Sequence, residues 1–378
     1  MNNDIKQSEI LQDNNKNGKP RPWKEKKMKN TSLRNSYIRL GHDCVHDCGH
    51  DEQGEYFINK SYRVNSCANT LGFVTDPDGR QKLYSAIFCQ VRLCPMCAWR
   101  REMKIRTQLS KVIYDIEDTN PELKYIFLTL TVKRVKANKL IQTIDHMQEA
   151  LNRLFKYKEI NEIAVGFFRA LEMNYDNDEF INQAYIDKRR DYYIKNKKKV
   201  PPAVSSLRVG QLNKNYKTYN PHFHIMIAVK PDYFIGFNHN RPIFKITQKR
   251  WSDLWKRALQ IDYTPTVWIN TIENYGDSGK IGGILETAKY TVKDSDYLID
   301  NDFETTDEVV ETLDRALHKR RLVGWGKLMR AVHKKLNLQE NVTADVNIDE
   351  DDKPEELHPL ITWYEWHVGY SDYIKIKN

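Results

Sequence analysis

The sequence contains no run of about 18 apolar residues, so no transmembrane helix is expected. The first residues are polar and form no apolar signal core, so secretion is not expected either. No internal repeat is present, which argues against a solenoid or propeller. Cysteine is scarce: there are six, all between Cys44 and Cys97. In a cytoplasmic chain, the location expected here, such a cluster reads as metal ligands or free thiols rather than disulfides. Acidic residues are the minority charge, 51 against 60 basic ones, giving a net charge of +9 and a pI near 9.0. That balance favours a polyanionic partner, either nucleic acid or an anionic membrane surface. No basic amphipathic anchor accompanies it, so nucleic acid is the preferred reading. The length, 378 residues, allows two or three domains and a sizeable core.

What is present organises unevenly along the chain. Residues 1–35 are rich in Asn, Lys and Gln and read as a disordered basic tail. Tyr125 to Val132 has strand composition, and so have Ile163 to Met173, His222 to Val229 and Thr266 to Ile272. Lys139 to Lys158 has helical periodicity through Leu140, Ile144, Met147, Leu151 and Leu154. Thr247 to Leu259 reads as a helix with Trp251, Leu254, Trp255 and Ala258 on one face. Gly279 to Lys293 turns into a further helix. Val309 to Leu336 looks helical, interrupted at Gly324-Trp325-Gly326. A lysine-rich insertion carrying Lys188-Arg189-Arg190 and Lys197-Lys198-Lys199 separates two strands. It is either a helix and loop that touch DNA or a solvated excursion. The alternation of elements lacks parallel βαβ spacing. It predicts an α+β fold with an antiparallel sheet, helices on one face and water on the other.

The most informative stretch is Pro221-His222-Phe223-His224-Ile225. Side chains alternate across a strand, so His222 and His224 share one face while Phe223, Ile225, Ile227 and Val229 face a core. Two adjacent imidazoles can hold a divalent metal. A third ligand is needed, and Glu172 in the preceding strand is placed to supply it if the two strands are antiparallel neighbours. Such a set suits Mg²⁺ or Mn²⁺ completed by phosphate oxygens; it also suits a non-haem iron oxygenase. Further on, Glu286 and Tyr290 fall on one face of the expected helix at i, i+4, flanked by Lys289 and Lys293. A metal-polarised phosphodiester, a tyrosine nucleophile, two lysines for phosphate charge and a carboxylate base are the equipment of covalent strand cleavage.

Taken together, these segments resemble the plasmid rolling-circle replication initiators of the HUH endonuclease superfamily, specifically the single-tyrosine type of small bacterial plasmids. Leu128-Thr129-Leu130-Thr131 matches that family's first motif, His222-Phe223-His224 its metal motif, and Glu286-x-x-Lys289-Tyr290-x-x-Lys293 its catalytic motif. Leu93 to Arg101, Trp251-x-x-Leu-Trp255 and Arg320 to Trp325 also look like family segments, and the match runs from about Cys67 to about Leu338. The resemblance implies a ferredoxin-like or RNA-recognition-motif-like sheet and nicking at a double-strand origin. It also implies a 5′-phosphotyrosine at Tyr290, a 3′-hydroxyl primer and termination assisted by Glu286. Two departures stand out. Asn220 occupies a position where the family often has another histidine, and the insertion before His222 is long. Origin DNA, as a single strand or a hairpin, is the implied partner. A host helicase, a polymerase and a second copy of the chain are further ones, and no membrane is expected.

The cysteines form their own constellation. Cys89-x4-Cys94-x2-Cys97 is a compact ligand cluster, and Cys67 is the expected fourth ligand of a tetrahedral Zn²⁺. His42, Cys44, His46, Cys48 and His50 alternate; on a strand they would share one face and could form a second metal site or supply the missing ligand, but a disordered polar segment that merely contains them is the preferred reading. The expected organisation is therefore a tail (1–35), a cysteine-rich zinc module (36–115), a nicking domain (116–300), a helical extension (301–339), an acidic linker (340–358) and an aromatic C-terminal segment (359–378). Two other readings stay open: a zinc-containing DNA-binding regulator without chemistry, and a single-tyrosine transposase.

Overall fold

The computed structural model describes residues 9–15, 18–48, 51–75, 79, 81–195, 199–238, 241–272, 292–338 and 360–376. Helices α1 (Trp23–Cys48) and α2 (Asp51–Ser66) come first, then strands β1 (Thr70–Thr75) and β2 (Gln81–Ala86) and helix α3 (Pro95–Thr119). Next come β3 (Lys124–Thr131), α4 (Ala137–Leu154), α5 (Lys158–Ile163), β4 (Ala164–Asp176), α6 (Gln183–Lys195), α7 (Pro202–Ser205) and β5 (Thr218–Val229). The hairpin β6 (Phe234–Asn238) and β7 (Arg241–Phe244), α8 (Gln248–Leu259) and β8 (Val267–Thr271) follow. After residue 291 come α9 (Phe303–Leu317), β9 (Val323–Gly326), α10 (Lys327–Lys335), β10 (Ile361–His367) and β11 (Asp372–Lys375).

The fold is α+β, built on a five-stranded sheet of order β8-β3-β5-β4-β9 whose pairings are all antiparallel. Its two faces differ by the period-2 rule. Ile126, Leu128, Leu130, Phe223, Ile225 and Ile227 enter one core with Leu140, Ile144, Met147 and Leu151 of α4 and Trp251, Leu254 and Trp255 of α8. Thr247 caps α8 by accepting a hydrogen bond from the Arg250 amide, and Gln260 ends it in a left-handed conformation. Truncating a fully buried α4 residue such as Leu151 to Ala would cost about 2–5 kcal/mol.

The opposite face is not left to water, as the sequence led us to expect. Helices α3 and α10 cover half of it, where Phe127, Phe168, Met226 and Ala228 meet Ile105, Leu109, Val112, Met329 and Val332. Apolar residues stand at the even positions Met226 and Ala228 as well as at the odd ones, so this half of the sheet needs cover on both sides. The other half carries Thr129, Thr131, Glu172, His222 and His224.

Three further expectations differ from the structure. Residues 23–35, expected as tail, lie in α1, where Trp23, Leu33, Tyr37 and Leu40 enter the core. The lysines that suggested a tail are bonded: Lys27 Nζ reaches the carbonyls of Asn65 and Cys67, and Lys26 and Lys29 both reach Asp294. Residues 42–48 continue that helix rather than forming a strand, so the alternating His42 to Cys48 do not share a face. The side chains of Cys44, His46, Cys48 and His50 lie outside the described residues. Finally, the segment expected as a helical extension contributes β9 to the edge of the central sheet. A Cβ on Gly326 would overlap the Phe167 ring, which explains a glycine at this pairing.

A second sheet of order β11-β10-β1-β2 joins the aromatic C-terminal segment to the N-terminal part of the chain. Phe73 and Tyr364 meet edge-on at its centre.

Candidate functional site

Antiparallel pairing of β4 and β5 puts Glu172 directly opposite His222 and Ala170 opposite His224; pairing of β3 with β5 puts Thr129 opposite His224. Directly opposed residues share a face and sit close together. Glu172 Oε2 is 2.8 Å from His224 Nε2 and 3.8 Å from His222 Nε2, and the two imidazole centroids are 4.8 Å apart at 86°. One ligand atom from each of the three side chains lies within 4.8 Å of the others. Ligands about 2.1 Å from an octahedral ion sit about 3 Å apart when adjacent, so these spacings fit one divalent cation.

The second ring nitrogens set the orientation. His222 Nδ1 is 2.9 Å from the Asn220 carbonyl, to which it donates, which leaves Nε2 with its lone pair towards Glu172. His224 Nδ1 is 3.1 Å from Thr129 Oγ1, and its ring stacks on Phe127 at 5.2 Å. His222 is buried, and burial, with His224 beside it, pushes its pKa down to about 4. It is therefore neutral at pH 7, the form that binds metal. His224 is only half-buried, so the cluster opens on that side.

Three groups that the sequence did not single out surround the cluster. Arg134, just past β3, donates to Thr218 Oγ1 at 2.8 Å and to the Thr218 carbonyl at 2.6 Å. It brings a fixed positive charge near His222. Asp296 lies in a 3-10 turn, Asp294–Asp296, against β4. Its Oδ2 is buried without a hydrogen-bond partner among the described residues. Burial, with the Glu172 charge adding to it, raises its pKa to about 6. Trp268 on β8 pairs with Thr129, one strand over from His224 on the same face. A tryptophan in a strand ordinarily reads as core, so no signal marked it beforehand.

Of the expected nucleophile group, Lys293 is exposed and leads into the Asp294–Asp296 turn. Glu286, Lys289 and Tyr290 lie outside the described residues. The turn that follows them is held from elsewhere. Lys26 and Lys29 of α1 grip Asp294 at 2.6 and 2.8 Å, and the buried Tyr297 hydroxyl donates to the Leu93 carbonyl.

Leu93 adjoins the second cluster. Cys67 follows α2, Cys89 lies beyond β2, and Cys94 and Cys97 sit at the N-terminus of α3, where Pro95 occupies the first helical turn. All four are buried, with Sγ–Sγ distances of 3.5 Å (Cys67–Cys97), 3.6 Å (Cys89–Cys97) and 3.6 Å (Cys67–Cys94). Four sulfurs about 2.3 Å from a tetrahedral ion would lie about 3.8 Å apart, so the cage matches a metal of that kind. Burial pushes the Cys89 and Cys94 thiols up, which disfavours thiolates unless a cation compensates. The buried Lys27 ammonium beside them supplies part of that compensation.

A family model described as "Replication protein" matches residues 80–374. The chain belongs to this family of replication proteins. It is similar to "Protein rep" of Bacillus amyloliquefaciens, 34% identical with 97% of each chain covered. It is also similar to "Protein rep" of Streptococcus pneumoniae serotype 2, 31% identical with 98% of this chain and 97% of that one covered. A third, "Protein rep" of a Bacillus species, is 35% identical over 77% of this chain and 85% of its own. No solved structure matches. The resemblance to replication initiators read in the sequence is thereby borne out. No helix among the described residues is long and apolar enough to cross a membrane.

Proposed function

We propose that this replication protein is a plasmid initiator of the HUH endonuclease type, which nicks one strand at the double-strand origin and later terminates rolling-circle replication. The observation that carries the reading is the convergence of Glu172, His222 and His224 on one sheet face, in a chain of the replication-protein family. The divalent ion these residues would hold, Mg²⁺ or Mn²⁺, supplies Lewis-acid polarisation of the scissile phosphate. The remaining work falls to the chain itself. His222 and His224 are fixed in ring orientation by Asn220 and Thr129, and Arg134 adds positive charge beside them. The Tyr290 phenol loses its proton and its oxygen attacks phosphorus. The bond from phosphorus to the 3′-oxygen breaks, and that oxygen leaves and takes up a proton as the 3′-hydroxyl primer. Lys289 and Lys293 offset phosphate charge. Glu286 activates the second nucleophile that resolves the 5′-phosphotyrosine at termination.

The four cysteines would hold a structural Zn²⁺, since their closed sulfur cage leaves no open position for substrate. A cytoplasmic location, a host helicase and polymerase as partners, and assembly with a second copy belong to the same proposal.

The test mixes purified protein with supercoiled origin DNA and Mn²⁺. The expected products are an open circle with protein on its 5′ end and a free 3′-hydroxyl, both lost with EDTA. A protein that binds the origin but leaves it intact under every divalent ion would instead be a DNA-binding regulator.

A further inference from the structure

We propose that helix α6 of the insertion is a clamp for single-stranded DNA, one wall of the groove that leads the strand to Glu172, His222 and His224. The proposal rests on the nicking reading above and assigns a role to residues 177–217, which that reading leaves unused. Strands β4 and β5 are antiparallel neighbours, and a two-residue turn would suffice to join them. The long connection is therefore not required by the sheet.

Its course follows from two contacts and one charge interaction. At its first end, Tyr185 and Arg189 face Asp176 at the end of β4: Tyr185 Oη is 3.4 Å and the Arg189 guanidinium 3.8 Å from Asp176 Oδ2. Arg189 also lies over the Tyr185 ring, 4.5 Å from its centroid. In the middle, the Lys188 charge acts on Asp296, the carboxylate on which the Glu172 charge also acts. Further along, Tyr193 meets Trp268 of β8 edge-on at 6.3 Å. Since β4 and β8 flank β5 and β3 on opposite sides, α6 reaches from one side of the ligand-bearing face to the other.

The chemistry of this wall suits one partner. Among the α6 residues whose side chains are described, Ile186 is the buried one, so the helix is not a core element. It turns Lys188 to solvent and leaves Arg189 and Arg190 half-buried. Lys188 and Arg190 stand two residues apart and so on different sides of the helix; Lys188, whose charge acts on Asp296, is the cation placed to neutralise a phosphate near the ligand-bearing face. Trp268, half-buried on the same sheet face as His224 and two strands from it, with Tyr193 against it, offers an aromatic surface on which an unpaired base can stack. A phosphate contact from α6 and a stacking surface on β8 select a single strand, whose bases are free to stack, over a paired duplex.

The experiment measures binding of the full chain to a single-stranded nick-site oligonucleotide by fluorescence anisotropy across a salt series. The probes are Lys188→Gln, and Trp268→Ala with Trp268→Phe. Lys188→Gln is expected to bind roughly threefold more weakly, with the slope of log affinity against log salt reduced by about 0.7, the value for one lost phosphate contact on a single strand. Trp268→Ala is expected to bind at least about fivefold more weakly, with Trp268→Phe restoring most of the loss. The Phe rescue separates loss of stacking from misfolding. Wild-type affinity and salt slope in Lys188→Gln would overturn the clamp and leave α6 as a solvated excursion or a protein-docking element. Absence of a tyrosine adduct in wild-type protein would instead remove the nicking reading, and the binding series would still judge the clamp.

Discussion

The two ligand clusters of this molecule are built on opposite plans. The cysteine cage draws its four sulfurs from Cys67 to Cys97, closes them on one another and buries all of them. The Glu172–His222–His224 cluster is spread over two central strands of a sheet whose order the whole chain determines, and it stays open at His224. A closed sulfur cage contributes folding energy, whereas an open set of two imidazoles and a carboxylate keeps positions for a reacting phosphate. Since Glu172 and His222 are buried like the cysteines, the number and kind of ligands, rather than burial, tell the two roles apart. The difference also predicts that damage to the two clusters will have different symptoms.

The largest effect is expected where the open cluster loses a ligand. His222→Ala and His224→Ala should each reduce nicking by about a hundredfold or more, with melting temperatures within a few degrees of wild type. Glu172→Ala should raise the Mn²⁺ concentration needed for half-maximal nicking. Full activity of Glu172→Ala at limiting Mn²⁺ would mean that the third ligand is elsewhere, with Asp296 the carboxylate to test next.

Breaking the closed cluster should show the reverse order of symptoms. Cys94→Ser with Cys97→Ser should lose about one tightly held zinc per chain and lower the melting temperature by more than about 10 °C. Loss of nicking should follow from loss of structure. A zinc-free, fully stable and active preparation would break the comparison.

A smaller effect should reveal that the clusters communicate. Tyr297 lies one residue beyond Asp296 and donates to the carbonyl of Leu93, beside Cys94. Tyr297→Phe removes a buried hydrogen bond worth about 1 kcal/mol. It should lower stability by that amount and slow nicking while zinc content stays unchanged. If only stability falls, the strut does not position the segment that follows Tyr290.

Much of the open cluster was legible in the sequence because it depends on one local rule, alternation along a strand. His222 and His224 on one face, Phe223 and Ile225 on the other, and the helix beginning at Thr247 all follow from neighbours within a few residues. What could not be read depends on distant partners. Strand β1 pairs with β10 across nearly the whole chain, so the aromatic C-terminal segment gave no hint of a second sheet. Gly324-Trp325-Gly326 looked like a helix break because two glycines interrupt a 3.6 period. They are instead the close-packed edge strand against Phe167 and Arg169. The lysines of α1 resembled a tail because their acceptors, Asp294 and the carbonyls near Cys67, are contributed by other elements. Cover on the site face by α3 and α10 was missed for the same reason: the apolar stripe of a helix does not say which sheet face it meets.

The smallest expected effect is on pH dependence and sharpens the view of the open cluster in metal-free protein. His222 titrates below its ordinary value, so its contribution to stability is present above about pH 6.5 and is lost as the pH falls through about 4. Asp296 titrates above its ordinary value, so the contribution of its protonated form is full below about pH 3.8 and is lost as the pH rises through about 6. Relative to wild type, His222→Gln should therefore gain stability as the pH drops from 6.5 to 4, and Asp296→Asn should gain it as the pH rises from 4 to 7. Melting curves across that range check both, and parallel curves for either variant would remove its assigned titration.

Covalent strand cleavage by Tyr290 beside Glu172, His222 and His224 leaves a product that can be sequenced. The direct measurement is to react the full chain with an origin oligonucleotide in Mn²⁺, digest the DNA and the protein, and sequence the modified peptide by mass spectrometry. The account predicts a 5′-phosphonucleotide on Tyr290, absent in Tyr290→Phe and absent when Mn²⁺ is chelated. An adduct on a different residue, or a nick left without any protein–DNA bond, would contradict it.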